Sequence, residues 1–120
     1  MRLYPAIDIK DGQCVRLKKG LFNEVTVYSD KPYEIAKAFE ESGAQFIHTV
    51  DLDGALKGHG VNADTIKKIV SSVNIPVQMG GGIRTLENIK EVLALGVYRV
   101  IIGTKAVENP DFIRQAIEQF

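Results

Sequence analysis

The stretches "VQMGGGIRT" (77–85) and "VIIGTKA" (100–106) each run from apolar residues through glycine into a helix-like pattern. Backbone N–H groups in such a turn can bind phosphate oxygens, and the dipole of the following helix adds positive potential. Gly81, Gly82 and Gly103 bring bare backbone, Thr104 a hydroxyl donor, and Arg84 and Lys105 charge. Turn geometry alone accounts for one glycine run; two runs on neighbouring strands point to an anion. Acid–base chemistry has its own candidate in Asp8, which sits between Ile7 and Ile9. An unpaired carboxylate is costly in an apolar segment, and partial burial raises its pKa toward the range of a general base. The alternative is a structural Asp8 that hydrogen-bonds the Asp11-Gly12 turn. His48 falls on the same side of its strand as Phe46 and Val50 by the strand period of two. It is either a satisfied core histidine, the more common fate of such a residue, or a site residue at a strand end. Asp51 and Asp53 in "VDLDGA" have a shorter explanation in turn and cap chemistry, and "DLDG" lacks the later ligands of a calcium loop.

Short apolar, β-branched runs at 3–9, 46–51, 75–79 and 99–103 must carry these residues, and each precedes a helical pattern. The first helix has Pro32 near its start, an apolar stripe of Ile35, Ala36, Ala38 and Phe39, and Gly43 just past its end. The second covers about 63–72, with Asn62 as N-cap and Ile66, Ile69 and Val70 facing inward. Thr85 caps the third, whose stripe is Leu86, Ile89, Val92 and Leu93, and Gly96 ends it. Asn109-Pro110 opens the fourth, with Phe112, Ile113 and Ile117 toward the sheet. The chain thus reads as an α/β fold of repeated βα units in one domain, 1–120, its parallel strands covered on both faces. "CVRLKKGLFNEVTVY" is too long for a simple βα connection and reads as an inserted β-hairpin turning near 18–22; long connections of this kind are often functional.

Setting Gly43 on Gly96 aligns "GAQFIHTVD" with "GVYRVIIGT", a weak internal repeat of the kind a barrel shows. A closed (β/α)8 barrel takes roughly 250 residues, so this chain reads as a (βα)4 half of a TIM barrel without strands five to eight. The sheet then stays open, with the first and fourth strands as edges and the inner face uncovered, which invites pairing with another chain. Ligands in such folds lie at the C-terminal ends of the strands. "AIDIKDG", "IHTVDLDGA", "VQMGGGIRT" and "VIIGTKA" all end there.

Composition excludes several classes. With 120 residues, zero formal net charge, 45% apolar and 25% charged residues, the chain is of ordinary globular type. It has no basic footprint for nucleic acid or a membrane surface. No apolar run approaches the roughly 18 residues of a membrane span, and "MRLYPAIDIK" lacks signal-peptide organisation, so a cytoplasmic location is expected. Cys14 is the single cysteine, which rules out an intrachain disulfide or a cysteine metal cage and leaves a buried or half-buried spectator thiol.

"RLYPAIDIKDGQCVRL", "IHTVDLDGA", "IPVQMGGGIR" and "VIIGTKAVENP" together resemble, in order and across the whole chain, the N-terminal half of the phosphoribosylformimino-aminoimidazole-carboxamide ribotide isomerases of histidine biosynthesis. The sister cyclase subunit of imidazole glycerol phosphate synthase shares the half-barrel plan but differs at the first and second strands. The resemblance implies an Amadori rearrangement of an aminoaldose to an aminoketose, without metal or organic cofactor, on a substrate with a phosphate at each end. It implies Asp8 as the general base at the sugar's second carbon and His48 beside the reacting sugar. Gly81, Gly82, Gly103 and Thr104 would hold one phosphate with Arg84 close by, and Arg16 and Gly20 would lie on a mobile hairpin closing over the ligand. The family's general acid and second phosphate loop belong to strands five, seven and eight. Little or no turnover is therefore expected from this chain alone. Two other readings stand beside it: a non-catalytic, phosphate-binding module that self-associates through open sheet edges, and half of the cyclase.

Overall fold

The computed structural model describes residues 5–18, 21–57, 62–103 and 108–120. Its strands are β1 (Ala6–Lys10), β2 (Gln13–Lys18), β3 (Leu21–Ser29), β4 (Ile47–Asp51), β5 (Val77–Gly80) and β6 (Arg99–Val100). Its helices are α1 (Pro32–Glu41), α2 (Leu52–Lys57), α3 (Ala63–Ser72), α4 (Leu86–Ala94) and α5 (Pro110–Gln119). The strands form one sheet in the order β3-β2-β1-β4-β5-β6. Strands β1, β4, β5 and β6 run parallel, as the repeated βα pattern requires, and β2 and β3 add antiparallel at one side.

The first strand is not an edge, contrary to expectation. Lys10 and Gln13 pair across a two-residue turn in which Asp11 has φ 52° and Gly12 φ 74°. Positive φ at both positions is the hairpin turn whose twist matches the flanking strands, and Asp-Gly is a preferred pair for it. The chain folds straight back, so β2 covers β1 and the open edges are β3 and β6. The residues expected at the second hairpin turn lie partly outside the described residues.

Nor are the parallel strands covered on both faces. Burial alternates along β1 and β4, leaving Ile7, Ile9, Ile47 and Thr49 fully buried while Asp8, His48 and Val50 are half-buried. The helices pack on one face, bringing Ala36, Ile66, Ile69, Ile89, Val92, Phe112 and Ala116 against Ile7, Ile9, Ile47, Val77 and Met79. Burying each such isoleucine contributes about 1.5–3 kcal/mol. The opposite face, meant for a barrel interior, is open and carries Asp8, His48 and Gln78.

Helix ends follow local chemistry. Thr85 and Asn88 form a reciprocal capping box at α4, and Asn109 Oδ1 accepts from the Phe112 amide at 3.2 Å. Gly43 and Gly96 have φ of 99° and 97° just past α1 and α4. Two stripe assignments shift: Ala38 is exposed, because the buried line of α1 runs through Pro32 and Ala36, and Ile117 is 74% exposed, since α5 buries Phe112 and Ala116 instead. Within "DLDGA", Asp51 ends β4 and Leu52 opens the short helix α2. Among the described residues no helix is long and apolar enough to cross a membrane.

Candidate functional site

Parallel register builds the open face in rows. Ala6 lies opposite His48, His48 opposite Gln78 and Gln78 opposite Arg99. One step toward the C-terminal ends, Asp8 lies opposite Val50 and Val50 opposite Gly80. Asp8 is half-buried, and burial pushes its carboxyl above the ordinary 3.8, with the neighbouring His48 opposing in part. The structural alternative for Asp8 is not what holds the turn. The Asp11 amide donates to Asp53 Oδ2 at 2.7 Å, and the Gly12 amide donates to Asn62 Oδ1 at 2.9 Å.

His48 is neither a fully buried core residue nor unpartnered. Its Nδ1 lies 3.1 Å from Gln78 Nε2, and Gln78 Oε1 accepts from Arg99 Nε at 3.1 Å. The Arg99 guanidinium also sits 5.5 Å from the centre of the Phe46 ring, a cation–π contact that fixes its stem. Gln78 and Arg99 escaped the sequence reading. Only the strand register joins them: Gln78 lies opposite His48 and Arg99 opposite Gln78, which puts all three on one face.

The glycines do bring two loops together. Gly81, Gly82, Ile83 and Arg84 share a cavity of about 420 Å³ with Ala55, Ile101, Gly103 and Glu108. Gly81 and Gly82 also have a packing reason. With φ of 95° and 80° they occupy the left-handed region, and a Cβ there would stand 2.5 Å from the Asp51 carbonyl oxygen and 2.8 Å from the Gly54 backbone. Arg84 is tethered at the rim, its Nη2 donating to the Ala55 carbonyl at 3.0 Å. The α4 N-terminus contributes less than the sequence implied. Asn88 Oδ1 already accepts from the Arg84 and Thr85 amides at 3.1 and 3.2 Å, and Thr85 Oγ1 accepts from the Asn88 amide at 3.0 Å.

Behind this face lies a buried latch. The Asp51 carboxylate accepts from the Gly54 amide, the Asn62 amide and Asn62 Nδ2 at 2.8, 3.1 and 2.7 Å. Asn62 Nδ2 also donates to Asp53 Oδ2 at 3.0 Å. Asn62 therefore stands at the N-cap position of α3 without capping it; its amide instead ties the ends of β1 and β4 together. The turn chemistry expected of Asp51 and Asp53 is what they perform.

Arg16 is exposed on β2, its Nη1 3.5 Å from the Tyr28 hydroxyl. It shares a second cavity, about 570 Å³, with Asp8, Cys14, Val15 and Tyr28. The described residues thus place Asp8 with Arg16, and Arg84 with Gly81, Gly82 and Gly103, in separate cavities of one sheet. Gly20, Thr104 and Lys105 lie outside the described residues.

Residues 2–120 match the protein family described as histidine biosynthesis protein. The chain is 61% identical over 120 residues to a protein of Lachnoclostridium phytofermentans named 1-(5-phosphoribosyl)-5-((5-phosphoribosylamino)methylideneamino) imidazole-4-carboxamide isomerase, covering 100% of this chain and 50% of that protein. It is 52% identical to proteins of the same name from Acetivibrio thermocellus and Thermoanaerobacter pseudethanolicus, each matched along 100% of this chain and 51% of the relative. The chain spans about half the length of these curated relatives.

Proposed function

The chain belongs to the histidine biosynthesis protein family, and from that premise we propose that it is the N-terminal half-barrel of an aminoaldose–aminoketose isomerase. Asp8 takes the proton from the sugar's second carbon. Before that step, protonation of the ring oxygen by the general acid breaks the bond from that oxygen to the first carbon and leaves an iminium there. The electron pair released at the second carbon forms the double bond to the first as the iminium pair moves to nitrogen, giving an enolamine. A proton added at the first carbon and one lost from the second-carbon oxygen give the ketose, so protons balance and the reaction is redox-neutral overall. His48 lies beside the reacting sugar. Gly81, Gly82, Gly103 and Thr104 hold one phosphate, with Arg84 at its edge, and the hairpin bearing Arg16 and Gly20 closes over the ligand. A C-terminal half-barrel supplies the general acid and the second phosphate site. A biosynthetic isomerase with one spectator thiol fits the cytoplasm, and the reading needs no metal or organic cofactor.

The observation that carries this reading is the position of Asp8. It is half-buried on an open polar face, its pKa is raised by burial, and the turn that a structural Asp8 would support is held by Asp53 and Asn62. The shared name of the relatives favours the isomerase over the cyclase. The test is complementation. Mixed with a half-barrel carrying strands five to eight of such an isomerase, the chain is expected to give turnover that neither half gives alone. A stable complex without turnover would contradict the proposal.

A second reading, a phosphate-binding module that self-associates, draws on the apolar edge at β6 and α5. Tyr98, Ile117 and Phe120 are 67%, 74% and 52% exposed there. Wild-type turnover by an Asp8→Asn variant in the complemented barrel would favour it.

A further inference from the structure

Gln78 and Arg99 have no part in the proton transfers above, yet they fix what His48 can offer. An arginine guanidinium carries donors only, so the Gln78 atom 3.1 Å from Arg99 Nε is the amide oxygen. The other end of the amide is then the NH2 group, 3.1 Å from His48 Nδ1. A group that only donates obliges Nδ1 to accept. We infer that Arg99 and Gln78 are positioning residues that hold the neutral form of the His48 imidazole in the tautomer with its proton on Nε2.

The lock is built into the sheet. His48, Gln78 and Arg99 sit on directly paired positions of β4, β5 and β6, so backbone register, not a loop, sets the order donor, relay, acceptor. The Phe46 ring under the guanidinium holds the far end. On the reading that His48 lies beside the reacting sugar, on which this inference rests, the imidazole presents an N–H donor. It therefore hydrogen-bonds a hydroxyl or carbonyl oxygen of the sugar and leaves proton removal to Asp8. The pair of roles is complementary: a base that accepts from carbon and a neutral donor that stabilises charge growing on oxygen.

The test is the 15N spectrum of the imidazoles in uniformly labelled protein. The chain has 2 histidines, His48 and His59, so a His59→Gln variant assigns the signals. Free imidazole already leans toward the Nε2–H form, so variants carry the weight. In the wild type His48 is expected with Nε2 protonated and Nδ1 bare. Gln78→Glu replaces the amide donor by a carboxylate that only accepts, and is expected to move the proton to Nδ1. Arg99→Met frees the amide to turn and is expected to mix the tautomers. A protonated Nδ1 in the wild type, or an unchanged spectrum in Gln78→Glu, would overturn the lock. In the complemented barrel Gln78→Glu is expected to lower kcat by roughly 10- to 100-fold, at or below the range of a direct acid–base group, with KM changed much less. Inverted tautomer with unchanged kcat would instead remove His48 from the reacting sugar, leaving the lock intact.

Discussion

The residue that decides most is Asp8, because its carboxyl is held above its ordinary pKa mainly by burial. The folded state then binds the Asp8 proton more tightly than the unfolded state does. Stability contributed by this group falls as pH rises from the ordinary 3.8 through the raised folded value, and the deficit persists at neutral pH. Asp8→Asn is therefore expected to melt at a higher temperature than the wild type at pH 7. The gain should fade in thermal scans below the ordinary 3.8, where the carboxyl is neutral in both states. A lower melting temperature at neutral pH would mean that Asp8 holds the fold. Cys14 is buried, and burial, with the Asp8 charge second, pushes its thiol pKa up. Alkylation should be slow in the native protein and fast in denaturant, as intact mass would show. A carboxylate between two isoleucines was legible in the sequence as an anomaly. The Arg99–Gln78–His48 row was not, because it exists only once strand register is fixed.

At the scale of elements, the glycine loop after β5 carries two demands at once. Gly81→Ala combines an unfavourable positive φ with a Cβ 2.5 Å from the Asp51 carbonyl oxygen. It should cost at least about 1–3 kcal/mol from backbone conformation alone, measured by urea denaturation. Asn62→Leu removes the Nδ2 donor shared by Asp51 and Asp53 and the Oδ1 acceptor of the Gly12 amide, while the backbone amide bond to Asp51 stays. The expected loss is about 1–3 kcal/mol, the cost of leaving the part-buried Gly12 amide without the Asn62 acceptor; a loss under about 0.5 kcal/mol would show that the latch is dispensable. Helices were legible because their signals are local: Pro32, Thr85, Asn109-Pro110, Gly43 and Gly96 act where they stand. The hairpin was half legible. "DG" marked a turn, but the pairing of β2 on β1 needed its two positive φ angles. The role of Asn62 was hidden by an equally local alternative, since an asparagine before a helix ordinarily caps it.

At the scale of the molecule, the sheet has one finished face and one unfinished. Tyr98, Ile117 and Phe120 line a groove of about 300 Å³ beside β6 with Val100, Ile102 and Ile113. An apolar edge of this kind is expected to make the isolated chain self-associate and bind an apolar dye. A dye-silent monomer in gel filtration would contradict the exposed edge. The cavity between the two glycine loops should bind an oxyanion in the native state only. Phosphate should then raise the melting temperature above a chloride control of equal ionic strength, and Arg84→Ala should reduce that rise. The half-barrel plan was legible because the βα unit repeats. Which edge remained open was not, because the hairpin that covers β1 is outside the repeat. The most direct measurement of the central claim is isomerase turnover by the complemented barrel, with Asp8 and with Asp8→Asn, at neutral pH. The account predicts a variant that assembles and is at least as stable, with kcat lowered by roughly 10²- to 10⁴-fold. An assembled variant that turns over at the wild-type rate would contradict it.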